Sequence, residues 1–260
     1  MSETGQGVAT EIRNAVGWLR FDRPPVNAFT REMVAAVHQT LDRLMDDPAV
    51  RVIVLGSANP RYFSAGADLQ EFVDIGEAGM RRWGSSCHAI ARLLRRSPKP
   101  LLAAINGTAV GGGLEMTLHC DLRFAGESAR LGQPEIKIAF IPPIATTQAL
   151  VRLIGRPRTI RYLYDGALHE AGETLSMGLV DEVVPDDRLA DHVQAYAEEL
   201  AAKPAEALAS IRQTVTLGGG MGFEDGLALE LEHVARLAGT ANFAEGVSAF
   251  LEKRPPQWRG

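Results

Sequence analysis

Two short apolar runs, residues 15–21 (AVGWLRF) and 50–55 (VRVIVL), flank a segment in which Met33, Val34, Val37, Leu41, Leu44 and Met45 recur at helical spacing. Each run has the length of a strand, and the second is apolar enough to be buried on both faces, as strands of a helix-covered parallel sheet are. Thr30 stands where the N-cap of the intervening helix belongs. Residues 100–105 and 121–125 read as two further strands. From about Arg188 the pattern turns helical: Leu189, Val193, Tyr196 and Leu200 form one apolar stripe, Pro204 breaks or restarts the helix, and residues 223–237 and 243–251 add two more helical stretches. Strands alternating with helices, then helices alone, predict an α/β core with a helical C-terminal extension.

Composition removes several functions. Lys and Arg total 27 against 32 Asp and Glu, a net charge of -5, and the densest basic stretch is only Arg92, Arg95, Arg96 and Lys99, which argues against nucleic acid as a partner. Cys87 and Cys120 lie in no CxxC pair and the histidines are scattered, so neither a disulfide framework nor a metal site is expected. His119 follows Glu115 by four residues, but the order is not HExxH. The longest uncharged run, residues 100–114, is too short to span a bilayer. The start MSETGQ lacks the basic and apolar regions of a signal peptide. The expectation is a cytoplasmic protein with no membrane partner. Residues 218–222 (GGGMG) do not meet GxGxxG, and the chain has neither a GxxxxGK[ST] loop nor a GxSxG elbow.

Chemistry concentrates in three segments. In residues 63–69 (FSAGADL), Gly66 permits a tight turn and the small residues let a ligand approach the backbone. Asp68 and Glu71 have the spacing of a capping box, which places Ala67 just ahead of a helix start; a plain strand-to-helix turn is the alternative. In residues 106–116 (NGTAVGGGLEM), Gly111, Gly112 and Gly113 lead into an apolar helix whose free N–H groups suit a developing negative charge. Glu115 is there either as an ordinary first-turn acid or as a carboxylate buried for a purpose. In residues 131–138 (LGQPEIKI), Pro134 fixes the chain before Glu135, which is either a solvent-facing loop carboxylate or the second acid of a pair working on a shared water or carbon.

In this order the three segments resemble the enoyl-CoA hydratase/isomerase (crotonase) superfamily, with further matches at residues 22–30 (DRPPVNAFT), 178–185 (GLVDEVVP) and 245–256 (EGVSAFLEKRPP). The resemblance implies a spiral of β-β-α units over residues 1–200 holding an acyl-CoA site, and a helical oligomerisation region over 201–260 that forms a homotrimer or a homohexamer built as a dimer of trimers. It implies an oxyanion hole from the backbone N–H groups of Ala67 and Gly112, with Glu115 and Glu135 as catalytic acids. Ser64, Ala65, Gly66, Asp68, Leu69, Gly111, Pro142 and Pro143 are carried over as substrate-binding positions. So are Arg61 and Lys253, as groups for the CoA phosphates, Lys253 reaching from a neighbouring subunit; surface solvation is the alternative for both. No cofactor is implied, coenzyme A being part of the substrate.

Glutamates at both acid positions match the hydratase branch, and so imply syn hydration of a 2-enoyl-CoA, a step of fatty acid metabolism. Glu115 would help activate water and Glu135 would protonate C2. One turn departs from the family: PGAGGTQRL becomes PPIATTQAL at residues 142–150, stiffer and bulkier. That turn is reminiscent of hydratases acting on cyclic dienoyl-CoA esters. The same resemblance leaves room for an enoyl-CoA isomerase or a non-catalytic acyl-CoA-binding protein. Met80, Trp83, Cys87 and Ile90 read either as core or as a helix over the acyl chain.

Overall fold

The computed structural model describes residues 2–259; Met1 and Gly260, the outer bounds of the two regions expected above, lie outside them. Strands β1 (Ser2–Gly5), β2 (Val8–Arg13) and β3 (Val16–Phe21) form an antiparallel meander. Helix α1 (Arg31–Asp46) then crosses to β4 (Val52–Ser57), which lies parallel to β3. The Thr30 hydroxyl caps α1 by accepting from the Met33 N–H at 3.3 Å. After β5 (Tyr62–Ser64) and the long α2 (Gly76–Arg96), β6 (Leu101–Ile105) joins the same sheet. The chain continues through β7 (Thr108–Val110), α3 (Gly112–Thr117), β8 (Leu122–Gly126) and β9 (Arg130–Gly132). Helices α4 (Thr146–Ile154) and α5 (Arg156–Asp165), β10 (Leu168–Glu170), α6 (Ala171–Met177), β11 (Glu182–Val184) and α7 (Leu189–Ala201) follow. The C-terminal stretch holds α8 (Ala205–Gln213), α9 (Phe223–Ala238) and α10 (Ala241–Glu252). An α/β core with a helical extension is therefore what the chain forms.

The larger sheet has seven strands in the order β1-β2-β3-β4-β6-β8-β11, parallel from β3 onward. Its strands lack polar alternation because both faces are covered. Ile53, Leu55, Leu101, Ala103 and Ile105 face one apolar cluster with α1 and α2, while Val52, Val54, Leu102 and Ala104 face a second cluster with Val193 and Ala197 of α7. Among the described residues neither cluster extends beyond Ala201. Arg212 of α8 instead reaches into the body: it is buried, pairs with Asp121 at 2.9 Å, and donates to the carbonyls of Leu94 and Ser97.

A second sheet of four short strands, ordered β10-β9-β7-β5, places the site. Strands β5, β7 and β9 run parallel, so the chain leaves all three at the same edge. Ligands gather at the carboxyl edge of parallel strands because the loops there converge. The three loops at this edge are the three segments singled out in the sequence.

Candidate active site

The loop leaving β5 is pinned before it reaches the site. Asn27, wholly buried with a φ of 53°, donates to the Tyr62 and Phe63 carbonyls. The Ser64 hydroxyl donates to the Asn27 carbonyl at 2.8 Å and accepts from the Gly66 N–H at 3.0 Å. Asp68 caps a short 3-10 turn, Leu69–Phe72, by accepting from Gln70, rather than an α-helix. The expected capping box does not form: Asp68 accepts from Gln70 rather than Glu71, its own N–H goes to the Phe29 carbonyl, and the Glu71 carboxylate turns to Arg31 at 3.1 Å. Among the described residues the Ala67 N–H has no hydrogen-bond acceptor, its neighbours Gly66 and Asp68 exchanging bonds with Phe29.

The loop leaving β7 meets the first one backbone to backbone. Gly111 has a φ of +52°, and a Cβ there would lie 3.2 Å from the Gly66 Cα and 3.0 Å from Glu135 Oε1. Positive φ and this close approach are both requirements that glycine meets without strain. Gly112 opens α3, so its N–H has no intrahelical partner. Both free amides belong to residues lining a cavity of about 210 Å³.

Glu115 is wholly buried in the first turn of α3. Its Oε2 accepts from the Ile144 N–H at 2.6 Å and from the Thr146 hydroxyl at 2.7 Å, while Oε1 has no partner among the described residues. Burial, followed by repulsion from Glu135, pushes its carboxyl up to about 8, against the pull of those two donors. Glu135, half-buried in the 3-10 turn Pro134–Ile138 that leaves β9, is pushed up by burial to about 7. In the amide orientation that satisfies both groups, the buried Gln133 donates to the Glu135 carboxylate at 3.1 Å. Because the charge of Glu135 repels that of Glu115, the two carboxyl groups titrate as a pair.

The remaining wall is apolar and rich in rings. Phe72 stands edge-on to Trp83 at 5.1 Å between centroids and lies 6.1 Å from Phe140. Trp83 and Cys87 of α2 are at once core residues and cavity wall, so the two readings of that helix coincide at these positions. His119 supports the turn behind Glu115 by placing Nε2 2.8 Å from the Ile144 carbonyl; burial lowers the ring to about 4, so it is neutral near pH 7. Among the described residues no group of three or more His, Cys, Asp or Glu side chains is disposed to hold a metal ion.

Ala65, Gly66, Ala67, Leu69, Gly111, Gly112, Glu115, Glu135 and Pro143 of the expected site line this cavity. Ser64, Asp68, Pro142, Arg61 and Lys253 do not. Ser64 and Asp68 are engaged in holding the loop, Asp68 also through Arg23 at 3.0 Å. Pro142 is buried behind the wall and Arg61 is exposed beside β5. Lys253 ends α10 in a left-handed conformation. Sequence reasoning missed Asn27, Gln133 and Thr146. The turn at 142–150 stands out in the sequence for its bulk, not for the hydroxyl it carries.

Comparison with known proteins gives the family of the chain and the fold of its relatives. The family described as enoyl-CoA hydratase/isomerase matches residues 11–260. A putative enoyl-CoA hydratase of Thermus thermophilus is 37% identical over 235 residues, spanning 89% of this chain and 92% of its own. An (E)-benzylidenesuccinyl-CoA hydratase of Thauera aromatica is 34% identical, spanning 97% and 99%. Among solved structures, Pseudomonas aeruginosa DspI superposes with a TM-score of 0.93 at 30% identity over 99% of this chain and 98% of its own. An enoyl-CoA hydratase of Bacillus anthracis superposes at 0.92 with 32% identity over 98% and 100%.

Proposed function

Since the chain belongs to the enoyl-CoA hydratase/isomerase family, with the crotonase fold of its structural relatives, and is an enzyme of the hydro-lyase type, we propose that it adds water syn across the 2,3 double bond of a 2-enoyl-CoA to give a 3-hydroxyacyl-CoA. The observation that carries this reading is the meeting of two carboxyl groups of raised proton affinity with two unpaired backbone amides around one apolar cavity.

The thioester oxygen is held by the Ala67 and Gly112 N–H groups, which draws electron density from C3 and stabilises the enolate that forms as water attacks there. The water lies between the two carboxyl groups. Its proton passes to Glu115 as its oxygen bonds to C3, and Glu135 delivers a proton to C2. One water held on one face makes the addition syn. Near neutrality, burial of both groups and the repulsion Glu115 feels from Glu135 keep the pair partly protonated, and the addition requires the proton on Glu135 and the charge on Glu115. The two acids and two amides supply the acid, the base and the electrophile, so this reading assigns no cofactor.

A second reading, a ring-bearing or cyclic dienoyl acyl group, draws on the Phe72, Trp83 and Phe140 wall and on the Thauera relative, whose named substrate carries a benzylidene ring. Self-association is part of the same proposal: Phe223, Leu231, Phe250 and Leu251 on α9 and α10 are 66–84% exposed, which supports a trimer or a dimer of trimers. Sedimentation or light scattering reads the assembly directly. Among the described residues no helix is long and apolar enough to cross a membrane.

The test is a panel of crotonyl-CoA, longer enoyl-CoA esters and a cyclic dienoyl-CoA, followed by loss of the conjugated thioester absorbance and by product mass. A product heavier by one water supports hydration, and the preferred acyl group chooses between the two readings. An unchanged mass with a moved double bond assigns isomerisation. Binding without turnover assigns a non-catalytic acyl-CoA protein.

A further inference from the structure

Glu115 is fully enclosed, and enclosure works against the ionised form that a base must take. Something has to stabilise its charge and choose which oxygen remains free. Thr146 is the residue placed to do both. It is wholly buried as the first residue of α4, and the residue before it, Ala145, is left-handed and offers that helix no side-chain cap. A threonine at a helix start commonly turns its hydroxyl to nearby backbone. Here the hydroxyl crosses to a residue 31 positions earlier in the chain and donates to Glu115 Oε2 at 2.7 Å.

Resting on the hydration reading above, we infer that Thr146 is a positioning residue for the base: with the Ile144 N–H it ties down Oε2, leaving Oε1 as the oxygen that takes the proton from water. The two donors also bring the positive end of α4 toward the carboxylate, which favours its charge.

The test compares Thr146→Ser with Thr146→Ala, since both lose the γ-methyl and only serine keeps the donor; Thr146→Val, nearly isosteric with threonine, is the third variant. Each is measured for kcat and KM across pH on the best substrate of the panel, for binding of butyryl-CoA, and for thermal unfolding. Expected is a fall in kcat of roughly tenfold or more in the alanine and valine variants, the scale of one lost hydrogen bond to a charged group. KM and butyryl-CoA binding should hold near wild type. Loss of a donor to a carboxylate raises its proton affinity, so the acid-side limb of the kcat profile should move to higher pH. Serine should restore both the rate and the limb. A folded alanine variant with wild-type kcat and pH profile overturns the inference, as does a loss in KM alone or a serine variant no better than alanine. If wild type hydrates nothing on the panel, the functional reading falls and this inference with it. If wild type is active and the alanine variant matches it in kcat and pH profile, only the role of Thr146 falls.

Discussion

Gly113 packs against Ser64 so closely that any Cβ on the glycine would overlap the serine Cβ. One is the second residue of α3 and the other is the last of β5, so the contact sets the spacing between the two loops that carry the Ala67 and Gly112 amides. Gly113→Ala should therefore separate the amides while leaving both carboxylates in the chain. Losing one aligned oxyanion donor costs about 3 kcal/mol in the barrier, so kcat should drop by roughly a hundredfold. Gly84→Ala in α2, where a Cβ meets nothing within 4 Å, is the control and should leave kcat unchanged. Steady-state kinetics of the two variants side by side checks this.

Glu115→Gln and Glu135→Gln each remove one member of the acid pair while keeping its shape. Hydration should fall by on the order of 10² to 10⁴ in either variant, the range for a general acid or base. Butyryl-CoA binding should persist, because the amides and the apolar wall are untouched. Near-wild-type hydration by a folded Glu135→Gln would remove that residue from the mechanism.

The raised affinity of Glu115 makes stability depend on pH in a definite direction. Its carboxyl titrates near 8 in the folded chain against an ordinary value of 4.5, so the folded state binds the proton more tightly than the unfolded state. The associated stability is fully present below 4.5 and is lost as pH rises toward 8. Wild type should thus lose stability relative to Glu115→Gln between pH 5 and pH 8, by several kcal/mol at most, a tenfold difference in proton affinity being worth about 1.4 kcal/mol. Urea unfolding of both proteins at the two pH values measures the difference.

Arg212 tests the attachment of the C-terminal helices. It meets Asp121, whose other bond is to the Leu101 N–H, and it closes the carbonyls of Leu94 and Ser97. Arg212→Ala takes from Asp121 its ion partner, though not the Leu101 N–H, and takes from the Ser97 carbonyl the Arg212 donor, which costs roughly 3–5 kcal/mol for a broken buried ion pair. Chemical denaturation should show that loss, while kcat of the protein that remains folded stays near wild type.

The central strands were legible because a strand buried on both faces leaves an unbroken apolar run, as residues 50–55 do. Strands β5, β7 and β9 were not, since each has three residues and no periodicity can be read from three. The glycines that border the site stood out as a cluster, Gly111 and Gly66 above all, and their backbone angles bear that out. Asn27, Thr146 and Gln133 did not stand out. Asn27 and Thr146 bond to partners more than thirty residues away, and nothing local marks an amide or a hydroxyl that will find such a partner.

What the sequence by itself determined is local: which runs must be buried, where α1 is capped by Thr30, where glycine lets two backbones touch, and which two glutamates stand beside those turns. The tertiary structure alone decided that β5, β7 and β9 end at one edge, bringing Ala67, Gly112 and Glu135 around a single cavity. It also decided that Glu115 is enclosed and Glu135 only partly so. A proton affinity follows from burial and from charges and donors nearby in space, and those neighbours are assembled from chain segments that only folding brings together.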